Sequence, residues 1–86
     1  MAKHKKTLER VLNGTADANI AFADLRSLLL RLGFDERIRG DHHIYTQGDV
    51  QEILNLQPKK SMAKPYQVRQ VRTLILRYRL GASDEE

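Results

Sequence analysis

This 86-residue chain reads as an α+β domain: a three-stranded antiparallel sheet with both long helices packed on one face and a short extra helix at the N-terminus. Three observations lead there. Two stretches repeat apolar residues at helical spacing, one before and one after the middle of the chain. Between them lie three alternating runs joined by short Gly/Asp turns. Each helix carries one apolar stripe, and a three-stranded sheet can bury one face against both while the other stays wet. The order is α-β-β-β-α in two layers.

Residues 3–12 hold helix formers and end at Asn13-Gly14, a stop signal. Leu8, Val11 and Leu12 form one apolar stripe, so 1–14 is expected to be a short helix or ordered arm. Thr15 to Ile20 reads as a loop. Phe22, Leu25, Leu28, Leu29 and Leu32 then recur on one helical face, which predicts a helix from about Ala21 to Leu32, ended by Gly33 as the residue past the cap.

Phe34 to Arg39 alternates, with Phe34, Glu36 and Ile38 on one side and Asp35, Arg37 and Arg39 on the other. Gly40-Asp41 turns the chain into a second strand, His42 to Gln47. Gly48-Asp49 turns it again into a third, Val50 to Gln57, and Pro58 closes the sheet because it cannot donate to a ladder. Lys59 to Lys64 reads as a flexible basic loop. Pro65 suits a helix's first turn. Val68, Val71, Leu74, Ile75 and Tyr78 supply the last apolar stripe, opposite an arginine-rich face, and Gly81 is expected to stop the helix. The chain divides into a 1–14 helix or arm, a 21–80 core and an acidic tail at 81–86.

A chain this short makes one domain and buries only about 60% of the surface its unfolded form exposes. It has no cysteine, so disulfides and thiolate metal sites are excluded. No apolar stretch approaches the roughly 20 residues of a membrane span. The Lys/His-rich start lacks the apolar run of a signal peptide. A soluble cytoplasmic protein with no membrane contact is the expectation.

The net charge of +4 conceals an asymmetry. Residues 59–79 carry Lys59, Lys60, Lys64, Arg69, Arg72, Arg77 and Arg79 and no acid, a charge of +7. Residues 17–57 are acidic on balance. A basic C-terminal half on a near-neutral body suits a polyanion; a merely solvated helix face is the plainer reading of the same charges.

Two of the three histidines, His42 and His43, adjoin on the second strand, so their side chains leave opposite faces. They cannot serve one site from the same face, nor chelate one metal ion. If one does chemistry, the other is a bystander or a substrate contact. No metal or other cofactor is expected, and no Gly-rich phosphate loop or serine elbow is present. Histidine exchanges protons near neutral pH. Metal-free RNA cleavage needs a base for the ribose 2′-OH, an acid for the leaving 5′ oxygen, and cations for the charge on phosphorus. His42 could be acid or base, and Asp41 beside it would favour the charged imidazole. The plainer reading of His42 is a strand-start histidine bonded to a turn carbonyl. His43 is expected at the surface or against RNA, and His4 on a solvated arm. Tyr45 is expected as half-buried packing, with stacking on a base as the other option. Tyr66 and Tyr78 are expected in the core.

The blocks Lys5-Lys6-Thr7-Leu8, Asn19-Ile20 to Asp24-Leu25, Leu28-Leu29 to Leu32-Gly33-Phe34, Gly40-Asp41-His42-His43-Ile44-Tyr45, Leu54-Asn55-Leu56-Gln57-Pro58 and Ala63-Lys64-Pro65-Tyr66-Gln67-Val68 come in an order and spacing that resemble the HicA family of bacterial toxins. The match runs from about His4 to Leu80. It departs from the commonest family pattern in having Asp41 where Gly-Ser-His is usual. The resemblance implies a double-stranded-RNA-binding-domain-like fold. It implies an endoribonuclease acting on mRNA, neutralised by a HicB-like antitoxin protein, with His42 as the catalytic histidine. Gly40, Asp41, His43, Lys59, Lys60, Lys64, Arg69 and Arg72 would then contact RNA. A non-catalytic RNA-binding module of the same fold is the alternative, and an interaction protein that docks an acidic partner is another. Direct DNA binding is not expected, because the arginine helix is anchored by its apolar stripe.

Overall fold

The computed structural model describes residues 3–81. The acidic tail expected after Gly81 lies outside the described residues. Helix α1 spans Lys3–Asn13, α2 Phe22–Arg31 and α3 Pro65–Tyr78. Strands β1 (Asp35–Arg39), β2 (His42–Gln47) and β3 (Val50–Leu56) form one antiparallel sheet in the order β1-β2-β3. The α-β-β-β-α layout is as the residue pattern predicts. Among the described residues no helix is long and apolar enough to cross a membrane.

Alternation sorts the sheet into two faces. Tyr45 pairs with Glu36 on one side and Leu54 on the other, and His43 pairs with Ile38 and Leu56. These side chains face the helices. Phe22 of α2 meets His43, and Arg26 of α2 meets Glu36. Leu74 and Arg77 of α3 adjoin Glu52 and Leu54. One apolar core results, from Leu25, Leu28 and Leu29 of α2, Val68, Val71 and Ile75 of α3, and Tyr45, Leu54 and Leu56 of the sheet. Ile53 and Asn55 point the other way and are exposed.

Several elements differ from expectation. The N-terminal segment takes the helical one of its two expected forms and is integral to the fold, with Val11 fully buried and Thr7 buried, though Leu12 of the expected stripe is left outside. The Thr15–Ile20 loop contains a 3₁₀ turn, Asp17–Asn19, that positions Ile20 in the core. Helix α3 stops at Tyr78, ahead of Gly81, because Arg79 takes the left-handed conformation (φ 54°). Gly81, at φ 82°, instead packs where a Cβ would crowd Leu8 and Leu32. Tyr66 is not core but half exposed on the first turn of α3. Tyr78 is partly buried, and its hydroxyl donates to Glu52 (2.7 Å) and accepts from the Gln51 N–H (3.3 Å).

The basic Lys59–Lys64 segment is an ordered turn, not a flexible loop. Lys59 and Met62 exchange both backbone hydrogen bonds at 2.9 Å. Lys60 (φ 52°) and Ser61 (φ 68°) both have positive φ, the pattern of a type I′ turn. The turn is tied to the start of α2, with Phe22 N–H donating to Ser61 O and Ala63 N–H to Ile20 O. Left-handed backbone costs a non-glycine residue about 1–2 kcal/mol. Ser61→Gly removes that strain at a smaller entropic cost of about 0.5–1 kcal/mol. We expect it to stabilise the domain by about 0.5 kcal/mol and raise Tm by a few degrees; a lower Tm in a thermal melt would show that the serine side chain contributes more than the strain costs.

Candidate active site at the end of the sheet

The β1–β2 turn, the C-terminal end of β3 and the Lys59–Lys64 segment meet at one end of the sheet. Gly40 (φ 61°) takes the first position of the two-residue turn between Arg39 and His42, where a side chain would be strained. Asp41 follows, and His42 opens β2.

His42 lies on the open face of the sheet, with its side chain about half exposed. Its Nδ1 is 3.0 Å from Asn55 Oδ1, across the sheet on β3. A carbonyl oxygen can only accept, so Nδ1 carries the proton and Nε2 is the basic nitrogen of the neutral ring. The Asp41 carboxylate stands 3.9 Å from Nε2, an ion-pair partner for the charged ring. Asp41 is itself held by Gln57, whose Nε2 donates to Oδ2 at 2.7 Å. That hydrogen bond, with smaller contributions that include the charges of His42 and Lys64, keeps the Asp41 carboxyl below the usual range. Lys64 therefore acts on the same turn from the start of α3.

Gln67 fixes this end of β3. It is buried, and its amide pairs with the backbone of Gln57, accepting from the N–H at 3.1 Å and donating to the C=O at 3.3 Å. The chain of contacts from Gln67 through Gln57 and Asp41 to His42 links helix, strand and turn. Gln57, Gln67 and Asn55 carry no sequence signal for this role beyond being polar residues near the histidine.

His43 leaves the opposite face and is not the surface residue the sequence suggests. Its side chain is 15% exposed. Its ring edge meets Phe22, with centroids 4.8 Å apart, and its Nδ1 lies 3.1 Å from Glu36 Oε2. Glu36 also receives Arg26 at 2.8 and 2.9 Å and the Tyr45 hydroxyl at 2.6 Å. Burial pushes the Glu36 carboxyl up, but the hydrogen bonds from Arg26, Tyr45 and His43 outweigh it and hold the group at about 2. Tyr45 is completely buried, so it is packing and cannot stack on a base. Burial, then Glu36, pushes its hydroxyl well above the ordinary tyrosine value.

The cations divide into two groups. Lys59, Lys60 and Arg69 are exposed, and Lys64 is partly so. Arg72 is not available to RNA. Its guanidinium donates to Val11 O (3.0 Å) and both carboxylate oxygens of Asp17 (3.0 and 3.1 Å), with the side chain 20% exposed. It ties α1 and the 3₁₀ turn to α3. Arg77 is likewise paired with Glu52.

Among the described residues no group of three or more histidines and acids gathers within reach of one metal ion. No family model, curated protein or solved structure matches the chain.

Proposed function

We propose that this chain is a metal-independent endoribonuclease acting on mRNA, the toxin of a bacterial toxin–antitoxin pair, with His42 as the proton-transfer group. The observation that carries the reading is His42 itself. Its imidazole is exposed, oriented through Nδ1 by Asn55, and set beside Asp41, on a turn that Lys64 also acts on. The resemblance of the Gly40–Tyr45 and Leu54–Val68 blocks to the HicA family supports the same assignment.

In the proposed reaction Nε2 takes the proton of a ribose 2′-OH. The 2′ oxygen forms a bond to the adjacent phosphorus, the bond to the 5′ oxygen breaks, and the leaving oxygen gains a proton from the imidazolium or from water. Lys64 stabilises the charge on the phosphoryl oxygens. The products are a 2′,3′-cyclic phosphate and a 5′-OH. One histidine in a half-exposed site predicts slow turnover. A HicB-like antitoxin would silence the chain by covering the Gly40–His42 turn and neutralising Lys64 beside it.

Multiple turnover of a defined RNA in EDTA tests the reading. RNA binding without new ends would instead support the non-catalytic module. The same titrations separate the cations. Lys64→Ala should lower the slope of log affinity against log salt by about 1, the effect of one lost phosphate contact. Arg72→Ala should leave that slope unchanged and cost about 2 kcal/mol of stability, because it strands a carboxylate and a backbone carbonyl. A reduced slope with unchanged stability would place Arg72 on RNA after all.

A further inference from the structure

The helix side of the sheet end holds a cleft of about 320 Å³, lined by Phe22, Ala23, Arg26, His43, Pro58, Lys60 and Ser61. That volume is at the lower end of the roughly 300–1,000 Å³ usual for small-molecule sites. Its floor combines an aromatic ring, a proline and an imidazole. Its rim carries a lysine, an arginine and a hydroxyl. We propose that this cleft is a nucleotide subsite for the RNA strand flanking the scissile phosphate, with His43 as its specificity-determining residue and Glu36 as the group that sets what His43 can read. This rests on the endoribonuclease reading for its place in the reaction, but not for the binding itself.

The chemistry follows from Glu36. Its carboxylate is held ionised by Arg26 and Tyr45 and can only accept hydrogen bonds. The Nδ1 of His43, 3.1 Å away, must therefore be the protonated nitrogen, which leaves Nε2 of the neutral ring as an acceptor. Behind it the T-shaped contact with Phe22 fixes the ring plane. A fixed acceptor lining the cleft suits a hydrogen-bond donor on a nucleotide, either a base N–H or the ribose 2′-OH. RNA-binding proteins read unstacked nucleotides in part by hydrogen bonds to their edges. Lys60 is exposed on the rim, projected by the left-handed turn, and is placed for the nucleotide's phosphate. His42 and His43 then divide the work by face: one transfers protons on the open side, and the other holds a neighbouring nucleotide on the helix side.

The test is an NMR titration of the isotope-labelled full chain, following the His43 and Phe22 rings. The probes are the four ribonucleoside 5′-monophosphates, their 2′-deoxy counterparts and inorganic phosphate. Nucleotides are expected to shift both rings, whereas phosphate alone is not. Loss of the response with the deoxy series would identify the ribose hydroxyl as the donor; its retention would identify the base. Lys60→Ala, on an exposed turn, should weaken nucleotide binding about fivefold, the factor for one exposed charge contact worth about 1 kcal/mol. The proposal is overturned if no nucleotide moves the His43 ring, or if Lys60→Ala leaves affinity unchanged. A chain that binds nucleotides here yet never cleaves RNA would overturn the enzyme reading alone. A chain that cleaves RNA with a silent His43 would overturn the subsite alone.

Discussion

Replacing His42 by alanine is expected to slow RNA cleavage by about 10²–10⁴-fold, the range for loss of a positioned proton-transfer group. The fold should survive the change. The side chain is half exposed on the open face, and its contacts to Asn55 and Asp41 are surface contacts. A thermal melt close to wild type, beside a collapsed cleavage rate, would separate chemistry from folding. Asn55→Ala should give a smaller loss in the same direction, because the ring would keep its basic nitrogen but lose its orientation. His42→Ala cleaving at the wild-type rate would remove His42 from the site.

Acid should unfold this domain largely through Glu36. The group's ordinary value is 4.5, and in the folded chain it is held at about 2. A carboxyl lowered by folding stabilises the native state wherever it is ionised, above its unfolded value. That stability is lost as pH falls from about 4.5 towards 2. The gap corresponds to about 3 kcal/mol, on the order of half the stability of a marginal domain. Glu36→Gln should therefore be less stable at pH 7 and show a flatter loss of stability between pH 5 and 2. Denaturant melts across that range read both effects. If wild type and Glu36→Gln fall in parallel with acid, the contacts from Arg26, Tyr45 and His43 are not what keeps the carboxylate charged.

The elements were legible in the sequence because each follows a local rule. Helical spacing in Phe22–Leu32 and Pro65–Tyr78, and alternation in the three strands, mark buried faces directly. The site was legible in part. The alternation that placed Glu36 between Phe34 and Ile38 already put a carboxylate on an apolar face, and a buried charge demands partners. That signal could have led to Glu36, but not to which residues meet it. Arg26, His43 and Tyr45 converge on it through the β1–β2 register and the way α2 packs on the sheet. Arg72 read as a surface cation because its partner Asp17 is 55 positions away in the chain. The Lys59–Lys64 turn read as flexible because Lys60-Ser61 lacks the glycine or asparagine that usually marks a left-handed pair. Tyr66 lies near the apolar stripe in sequence, but it enters on the first turn of α3, where the helix start faces solvent.

The most direct measurement is the chemistry of the RNA ends. A defined RNA is incubated with the purified chain in EDTA, wild type beside His42→Ala, and the termini are identified. A 2′,3′-cyclic phosphate and a 5′-OH, made by wild type alone, are the predicted result. Ends bearing a 5′-phosphate, cleavage that requires added metal, or intact RNA with salt-sensitive binding would contradict it.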